Sequence, residues 1–415
     1  MWRHCINLAI AAQHDGLRRY NSTVNRFLVT VAAGCAIAVG LFWPREASPH
    51  NPITTTVLFN REIATLFQSK CLQCHAAGGM AMSLATYEEA RPWAVAIKEE
   101  ILERRMPPWP AERGYGEFAN DLGLTTRERD FLISWIDGGT PKGEGEPSAY
   151  LDHSTHWMLG NPDVLLTASA GTRVEQGRPA GFTRIIMDTA VTQERWLRAF
   201  DYKPADTRVV RAAFFSLADT GQYLGAWTPW RTTMQVPDDA GIRMPAGAQI
   251  AIDVLYQPVS DLVVDTPRLG LYFTANRPAR EMATTVLKPV QAPAAAGAFA
   301  PRLTAMMVVP SDTSIVEMRP EMGPGGRSIE VKAKRPDGSS QVLLWIRKFR
   351  QEWQTSYVLR QPLTLPKGSV VQAVAHFDPT PGQRPSQFTL TFSSYEAAPG
   401  GLTAAFEPRP PAPGR

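Results

Sequence analysis

The chain reads Ile329-Glu-Val-Lys-Ala-Lys334, Arg335-Pro-Asp-Gly338 and Gln341-Val-Leu-Leu-Trp-Ile346 across the stretch that decides the fold of its larger part. The outer runs are rich in β-branched and aromatic residues, which is typical of β-strands. Pro-Asp-Gly between them supplies the residues that tight turns require. The stretch therefore predicts a β-hairpin.

Short β-type runs separated by turn residues extend from this hairpin in both directions, over about residues 160 to 398. An Ala/Pro-rich segment, 291–301, is typical of a connection between two modules. We expect two packed antiparallel β-sandwich modules, at 160–290 and 301–398, followed by a flexible tail at 399–415. The clearest strand candidates are 183–187, 208–215, 249–256 and 269–273.

The N-terminal region carries an uncharged apolar run at 27–43. Arg18, Arg19 and Arg26 precede it, so the positive-inside rule predicts a cytoplasmic arm (1–26), a transmembrane anchor (27–43) and a linker (44–56). The bulk of the chain would then be periplasmic, held at the inner membrane. A cleaved signal peptide is the alternative, since Ala36-Ile-Ala38 suits a cleavage site.

The motif Cys71-Leu-Gln-Cys74-His75 follows a predicted short helix with Ile63, Leu66 and Phe67 on one face. Two thiols at this spacing can form thioethers to the vinyl groups of one haem c, and the adjacent His75 can bind the iron. A redox dithiol and half of a zinc site are the alternatives. Zinc would need two more ligands, and the other histidines at reasonable distance are His50, His153 and His156.

A methionine or a second histidine should bind the opposite side of the iron. Met106 follows an amphipathic helix and precedes Pro107-Pro108, which would end the helix and stiffen the ligand loop. We therefore predict that His75 and Met106 are the two iron ligands and that Trp109 packs against the haem edge. Met80 is too close to His75 to reach across the haem, and Met82 is expected to pack in the core.

A third helix should begin at a capping box of Thr125 and Glu128 and end at Gly138-Gly139. Residues 57–147 are therefore expected to form an all-α haem domain of three helices. The predicted fold class is multidomain: a transmembrane helix, an all-α cytochrome c domain, and two antiparallel β-sandwich modules.

The sequence also resembles a known family. The run Met106-Pro-Pro-Trp109, with Asn120-Asp121 and Trp135-Ile-Asp-Gly-Gly139, resembles the cytochrome c domain fused to copper type II, ascorbate-dependent monooxygenase-like modules in bacteria. Most of residues 160–395 resembles those peptidylglycine hydroxylating monooxygenase-like modules. The resemblance implies two copper sites, one with three His ligands and one with two His and a Met. The stretches of residues 160–395 that match the family best are 319–320, 326–331, 336–338, 353–357, 365–368 and 375–378.

The copper ligands of that family have no counterparts in this chain. The matching positions hold Arg211-Ala212, Leu255, Glu321 and Gly323, and Met322 is the last methionine. Such side chains cannot replace imidazole and thioether ligands. We therefore expect no copper and no monooxygenase activity. After the haem region the histidines are His153, His156 and His376, and we expect His376 to be structural.

The net charge of +4 is small and dispersed, which argues against a nucleic-acid partner. Cys5 and Cys35 lie far from the motif, so no disulfide framework is expected. The sequence thus predicts a membrane-anchored periplasmic monohaem cytochrome that transfers electrons. The copper-less modules would be an interaction or scaffold surface for a redox partner protein or membrane redox complex. Two alternatives remain: an oxidoreductase whose haem relays electrons to an unrecognised site in the β-modules, and an accessory subunit whose haem is only structural.

Overall fold

Antiparallel strands form most of the regular structure in residues 53–151, 156–177, 179–289, 302–378 and 387–397, which the computed structural model describes. Four main sheets are arranged as two sandwiches, each enclosing its own hydrophobic core. The described residues belong to one compact unit. Strands, rather than helices, therefore define the architecture.

The first sandwich pairs a six-stranded sheet with a four-stranded one. Its strands are β1 (Val164–Thr167), β2 (Thr172–Val174), β3 (Gly181–Asp188), β4 (Arg195–Lys203), β5 (Val210–Leu217), β6 (Tyr223–Trp227), β7 (Thr233–Gln235), β8 (Ala240–Met244), β9 (Gln249–Tyr256), β10 (Val263–Asp265), β11 (Arg268–Phe273) and β12 (Arg280–Glu281). One sheet has the order β1-β11-β4-β8-β12, with β7 beside β4, and the other has the order β3-β9-β5-β6, while β2 and β10 pair in a separate two-stranded sheet. Phe200 and Phe215 join their inner faces, with ring centroids 4.3 Å apart.

The second sandwich consists of two four-stranded sheets. Its strands are β13 (Ala283–Leu287), β14 (Arg302–Val308), β15 (Thr313–Met322), β16 (Gly326–Lys334), β17 (Ser340–Ile346), β18 (Tyr357–Leu365), β19 (Val370–Phe377) and β20 (Phe388–Glu396). The sheet orders are β13-β20-β15-β18 and β14-β19-β16-β17. Strand β13 thus belongs to the second sandwich, although the sequence predicts its residues to lie in the first module, 160–290.

The predicted hairpin is present as β16 and β17. Ile329 pairs with Ile346, and Ile329, Val331 and Ala333 are fully buried while the residues between them are not. Gly338 has φ of +88°, a conformation that glycine adopts without steric cost. The local sequence therefore determines both the turn and the buried face.

Short helices precede the strands: a π-helical turn (Phe59–Ile63), α1 (Ala64–Lys70), α2 (Leu72–His75), α3 (Tyr87–Ala90), α4 (Ala94–Leu102) and α5 (Thr126–Asp137). They pack around Trp135, whose indole Nε1 donates to the carbonyl of Pro141 at 3.1 Å. The predicted capping box of Thr125 and Glu128 begins α5. The apolar face of α5 thereby meets α1 and the π-helical turn.

The prediction of a separate all-α domain is wrong. Residues 107–122 pack on the second sandwich, where Ala111 bridges to Ile346 and Phe118 bridges to Leu359. These contacts cover β17 and β18, which are edge strands of the two sheets. Unpaired strand edges need such a cover, and short helices alone bury little apolar surface. The helical segment is therefore completed by the sandwich.

The predicted membrane span at 27–43 lies outside the described residues, as do the arm 1–26, most of the linker, the connection 290–301, His153 and the tail 399–415. Within the described ranges, no helix is long and apolar enough to cross a membrane. Over the described residues, the predicted fold class, with its separate all-α domain, is thus corrected to a mainly β architecture with a helical segment packed against it.

Candidate functional site

One cavity brings together Cys71, Cys74, His75 and Met106, four of the five residues that the sequence singles out. The centres of water-sized molecules can occupy about 160 Å³ within it. Apolar side chains form much of the remaining wall: Phe67, Leu84, Ile97, Ile101, Leu122 and Leu132. Such a mainly apolar cavity with a few polar groups is the usual form of a cofactor site.

The two thiols lie where α1 gives way to α2. Cys71 separates the helices, and its carbonyl accepts hydrogen bonds from the amides of Cys74 at 3.0 Å and His75 at 2.9 Å. Leu72, between the thiols, is 2% exposed and packs in the helical core. This turn places both thiols and the imidazole on the wall of the cavity.

Both cysteines are free thiols that keep partial exposure because they face the cavity. Burial raises the pKa of Cys71 to about 12 and the pKa of Cys74 to about 12, and the neighbouring Cys74 adds to the effect on Cys71. A redox dithiol works through a thiol of lowered pKa. The environment therefore argues against the dithiol alternative.

The imidazole of His75 has a defined orientation and tautomer. Its Nδ1 lies 2.9 Å from the carbonyl oxygen of Met82, and because a carbonyl can only accept, Nδ1 carries the proton. Burial lowers the pKa of His75, which favours the neutral ring. The second nitrogen, Nε2, therefore keeps its lone pair, as a metal-binding histidine requires.

The loop after His75 is tight and requires glycine. A Cβ atom at Gly79 would come within 2.6 Å of the carbonyl oxygen of Cys74. The amide of Leu84 donates to the carbonyl of His75 at 2.8 Å, which closes the loop. The loop thereby delivers the Met82 carbonyl to the imidazole.

Three methionines line the cavity, but their surroundings differ. Met80 Sδ accepts a hydrogen bond from Arg211 Nη1, and Met82 is 37% exposed. Met106 follows α4, where its amide donates to the carbonyl of Glu100 at 3.2 Å. The preceding carbonyl, of Arg105, accepts from Arg350 Nη1 at 2.7 Å, so the sandwich holds this segment too. Met106 and His75 thus face the same cavity from different parts of the chain.

Two wall residues come from the sandwiches, and sequence reasoning did not assign them to this site. Arg211 is the extra residue of a β-bulge in β5 opposite β9, and bulges commonly redirect a side chain. Its guanidinium carbon lies 4.6 Å from the ring centroid of Trp353, which belongs to the 3₁₀ turn Gln351–Trp353. Both residues are more than 100 positions from the motif, so only the tertiary fold reveals them.

Trp109, the fifth predicted site residue, is not among the described residues that line the cavity. Its ring packs against Tyr357 of the second sandwich and Phe118 of its own segment, with centroids 5.1 and 6.0 Å away. Trp109 therefore joins the helical segment to the sandwich core, and Trp353 is the tryptophan at the cavity wall.

The positions that match copper ligands of the resembling family are dispersed in other roles. Ala212 and Leu255 are buried in one apolar cluster between β5, β6 and β9. Glu321 forms an ion pair with Arg319 at 2.6 Å. His376 is exposed on β19, with Nδ1 3.4 Å from the hydroxyl of Ser328. The absence of copper stays a prediction.

The expectation of a metal-binding protein needs a correction. Across the described ranges there is no group of three or more His, Cys, Asp or Glu side chains that could hold a metal ion. A site in which protein side chains alone coordinate a metal is therefore not found in that part of the chain, and half of a zinc site has no complement there. A haem iron is a different case, because the porphyrin supplies four of its ligands and the protein only one or two.

No family model matches the chain, and no curated protein matches it in sequence. Solved structures with partial likeness include the major capsid protein P2 of bacteriophage PM2, at 8% identity and a TM-score of 0.27, over 57% of this chain and 99% of that one. Allantoicase of Saccharomyces cerevisiae has 7% identity and a TM-score of 0.19, over 54% and 81%. Broad Bean Stain Virus has 10% identity and a TM-score of 0.23, over 59% and 93%. TM-scores this low carry no argument about fold or function.

Proposed function

We propose that this chain is a monohaem c-type cytochrome that transfers electrons. The observation that carries the proposal is the joint placement of two free thiols and a neutral histidine on one mainly apolar cavity. Of the three chemistries that the motif allows, the raised thiol pKa values oppose a redox dithiol. The described residues offer no complement for zinc. Haem attachment is the chemistry that the geometry supports.

The donor set of the cavity fits a covalently attached haem. Cys71 and Cys74 would each provide the sulfur of one thioether, and His75 Nε2 would be one axial ligand. Met106 would be the second residue to bind the iron, because it lines the same cavity and Met80 Sδ accepts a hydrogen bond from Arg211. Bound haem would supply a centre that accepts and donates one electron at a time.

The residues of the chain perform the supporting tasks. The carbonyl of Met82 fixes the imidazole of His75 so that Nε2 remains available. Leu84, Ile97 and Leu132 exclude water from the wall, and the resulting low dielectric strengthens every charge interaction inside. The site thereby favours electron transfer over exchange of ligands with solvent.

The two sandwiches would serve as the surface that a redox partner protein recognises, and the cytochrome would work outside the cytoplasm, where haem is joined to such motifs. This role is supported by the contacts between the sandwiches and the site. Arg211 and Trp353 line the cavity, and Arg350 binds the segment that carries Met106. A partner docked on the sandwiches would thus contact elements that are packed on the haem site.

The test is haem attachment in exported protein, produced together with the machinery that attaches haem. After denaturing electrophoresis, the wild-type band should keep haem peroxidase activity, and Cys71→Ser/Cys74→Ser should lose it. Cys5→Ser/Cys35→Ser is the matched control, because it removes the same number of thiols outside the motif, and it should keep its haem. A wild-type band without haem, or a Cys71→Ser/Cys74→Ser band that retains it, would sink the proposal.

A further inference from the structure

Arg211 differs from the other charged side chains of the cavity wall, because neither a carboxylate nor a backbone carbonyl of the residues that the structure describes binds its guanidinium. Lys70 Nζ is bound by two backbone carbonyls at 3.2 and 3.4 Å, and Glu100 forms an ion pair with Arg105 at 2.9 Å. Among the described residues, no carboxylate oxygen forms an ion pair with the Arg211 guanidinium within 4.0 Å. Its positive charge at the cavity is therefore not cancelled by a neighbouring side chain.

The groups that do contact Arg211 are soft and uncharged. Its Nη1 donates to Met80 Sδ, a weak acceptor, and its guanidinium lies over the ring of Trp353, which is 8% exposed. The charge lies at the motif, because Arg211 lines the same cavity as Cys74 and His75. Because arginine stays protonated in proteins, the cavity carries a permanent cation.

This inference rests on the proposed haem attachment. We infer that Arg211 is an electrostatic tuning residue whose charge raises the reduction potential of the haem held in this cavity. When a redox partner donates one electron, the net charge of the site falls by one, and a fixed cation in a low-dielectric wall stabilises that reduced state. Trp353 is the positioning residue, since its ring holds the guanidinium against the wall.

The experiment is a potentiometric titration of the purified full-length haem protein, followed by its visible spectrum. Arg211→Gln should lower the equilibrium constant for reduction at least tenfold, which corresponds to a midpoint potential about 59 mV lower for one electron. Arg211→Lys should stay within about threefold of wild type, because the charge is kept. Arg195→Gln is the matched control: Arg195 is also half-buried and lies 3.9 Å from a ring centroid, that of Phe273, away from the cavity wall.

If Arg211 had only a structural role, the midpoint potential would not depend on whether position 211 carries a positive charge. An unchanged potential in Arg211→Gln, or an equal fall in Arg195→Gln or Arg211→Lys, would overturn the inference while leaving haem attachment intact. If Arg211→Gln protein does not accumulate, the potential of Trp353→Leu is measured instead. That substitution removes the ring that holds the guanidinium but keeps the guanidinium itself. Its potential should fall by a smaller amount in the same direction, and no fall would overturn the inference. Absence of covalent haem in the wild type would instead refute the proposed function.

Discussion

The imidazole Nδ1 of His75 donates a hydrogen bond to the backbone carbonyl of Met82 across 2.9 Å. The contribution of Met82 to the site is therefore a main-chain atom, which any residue at that position would supply. Its side chain is 37% exposed, so the expectation that it packs in the core is wrong. Met82 thus acts at the site through its backbone carbonyl, whereas Met106 is proposed to act through its side-chain sulfur.

Met106→Ala should abolish the iron–sulfur charge-transfer band of the oxidised protein, since it removes the only proposed thioether ligand. Met82→Ala should leave the band in place, because the carbonyl that holds His75 remains. Met80→Ala should also leave it, because Met80 Sδ is bound by Arg211. Visible absorption of the oxidised variants measures this directly. Loss of the band in Met82→Ala or Met80→Ala alone would show that the axial assignment is wrong.

Asn120→Ala should destabilise the fold by about 1–3 kcal/mol, because it removes the acceptor of the buried Val358 amide and one of the two donors to the Ser356 carbonyl. The Asn120 amide donates to the carbonyl of Ser356 at 2.8 Å and accepts from the amide of Val358 at 3.1 Å. Denaturant unfolding of the variants gives the free energy. Asn276→Ala, at an exposed position, is the control and should change it by less than about 0.5 kcal/mol. If both variants changed the free energy of unfolding equally, the hydrogen bonds from Asn120 to the sandwich would not be stabilising.

Tyr223→Phe should cost about 2 kcal/mol, because it removes a donor from a buried carboxylate. The hydroxyl of Tyr223 donates to Glu317 Oε1 at 2.9 Å, and Glu317 is 5% exposed. Arg231 lies 3.8 Å from the other oxygen, so this contact joins the two sandwiches. Tyr115→Phe, at a half-buried position, is the control for loss of a hydroxyl. Thermal or denaturant unfolding that shows equal stability for the two variants would contradict this account.

The thiols of the haem-free protein should react slowly with iodoacetamide at pH 8. With pKa values of about 12, Cys71 and Cys74 carry little thiolate at that pH. The low thiolate fraction slows alkylation, although a thiolate of higher pKa is the better nucleophile. Together these effects predict a rate on the order of a hundredfold lower than for an ordinary cysteine of pKa about 8.5. The rate should keep rising up to about pH 12. Cys5→Ser/Cys35→Ser protein isolates these two thiols, and a rate plateau below pH 8 would revive the dithiol alternative.

Local sequence was sufficient where one short stretch contains all the determining residues. The hairpin of β16 and β17 needs only its alternating runs and Asp337-Gly338, and α5 needs only Thr125 and Glu128 at its start. The motif residues also reach one cavity because a single helical turn joins them. Features of this kind are readable because their partners lie within a few positions.

Other features of the fold depend on contacts between distant segments, which local sequence does not predict. Residues 107–122 carry no helical or strand period, and their burial depends on two sheet edges more than 200 positions later. The resemblance places Arg211 at the position of a missing copper ligand, but only the bulge in β5 shows that Arg211 lines the cavity. The position of Trp109 after Met106 predicts a contact with the haem edge, which stays a prediction, and only the fold reveals Tyr357 beside its ring. Neither spacing nor composition encodes such pairings.

Covalent haem at Cys71 and Cys74 is the claim on which the other proposals depend, and the intact mass of the exported, purified chain tests it most directly. We predict one population whose mass exceeds that of the polypeptide by one haem, with the increase located by proteolysis on the peptide that contains Cys71, Cys74 and His75. Cys71→Ser/Cys74→Ser should have the mass of the polypeptide alone. A wild-type chain at the polypeptide mass, produced beside a control cytochrome that does receive its haem, would contradict the claim.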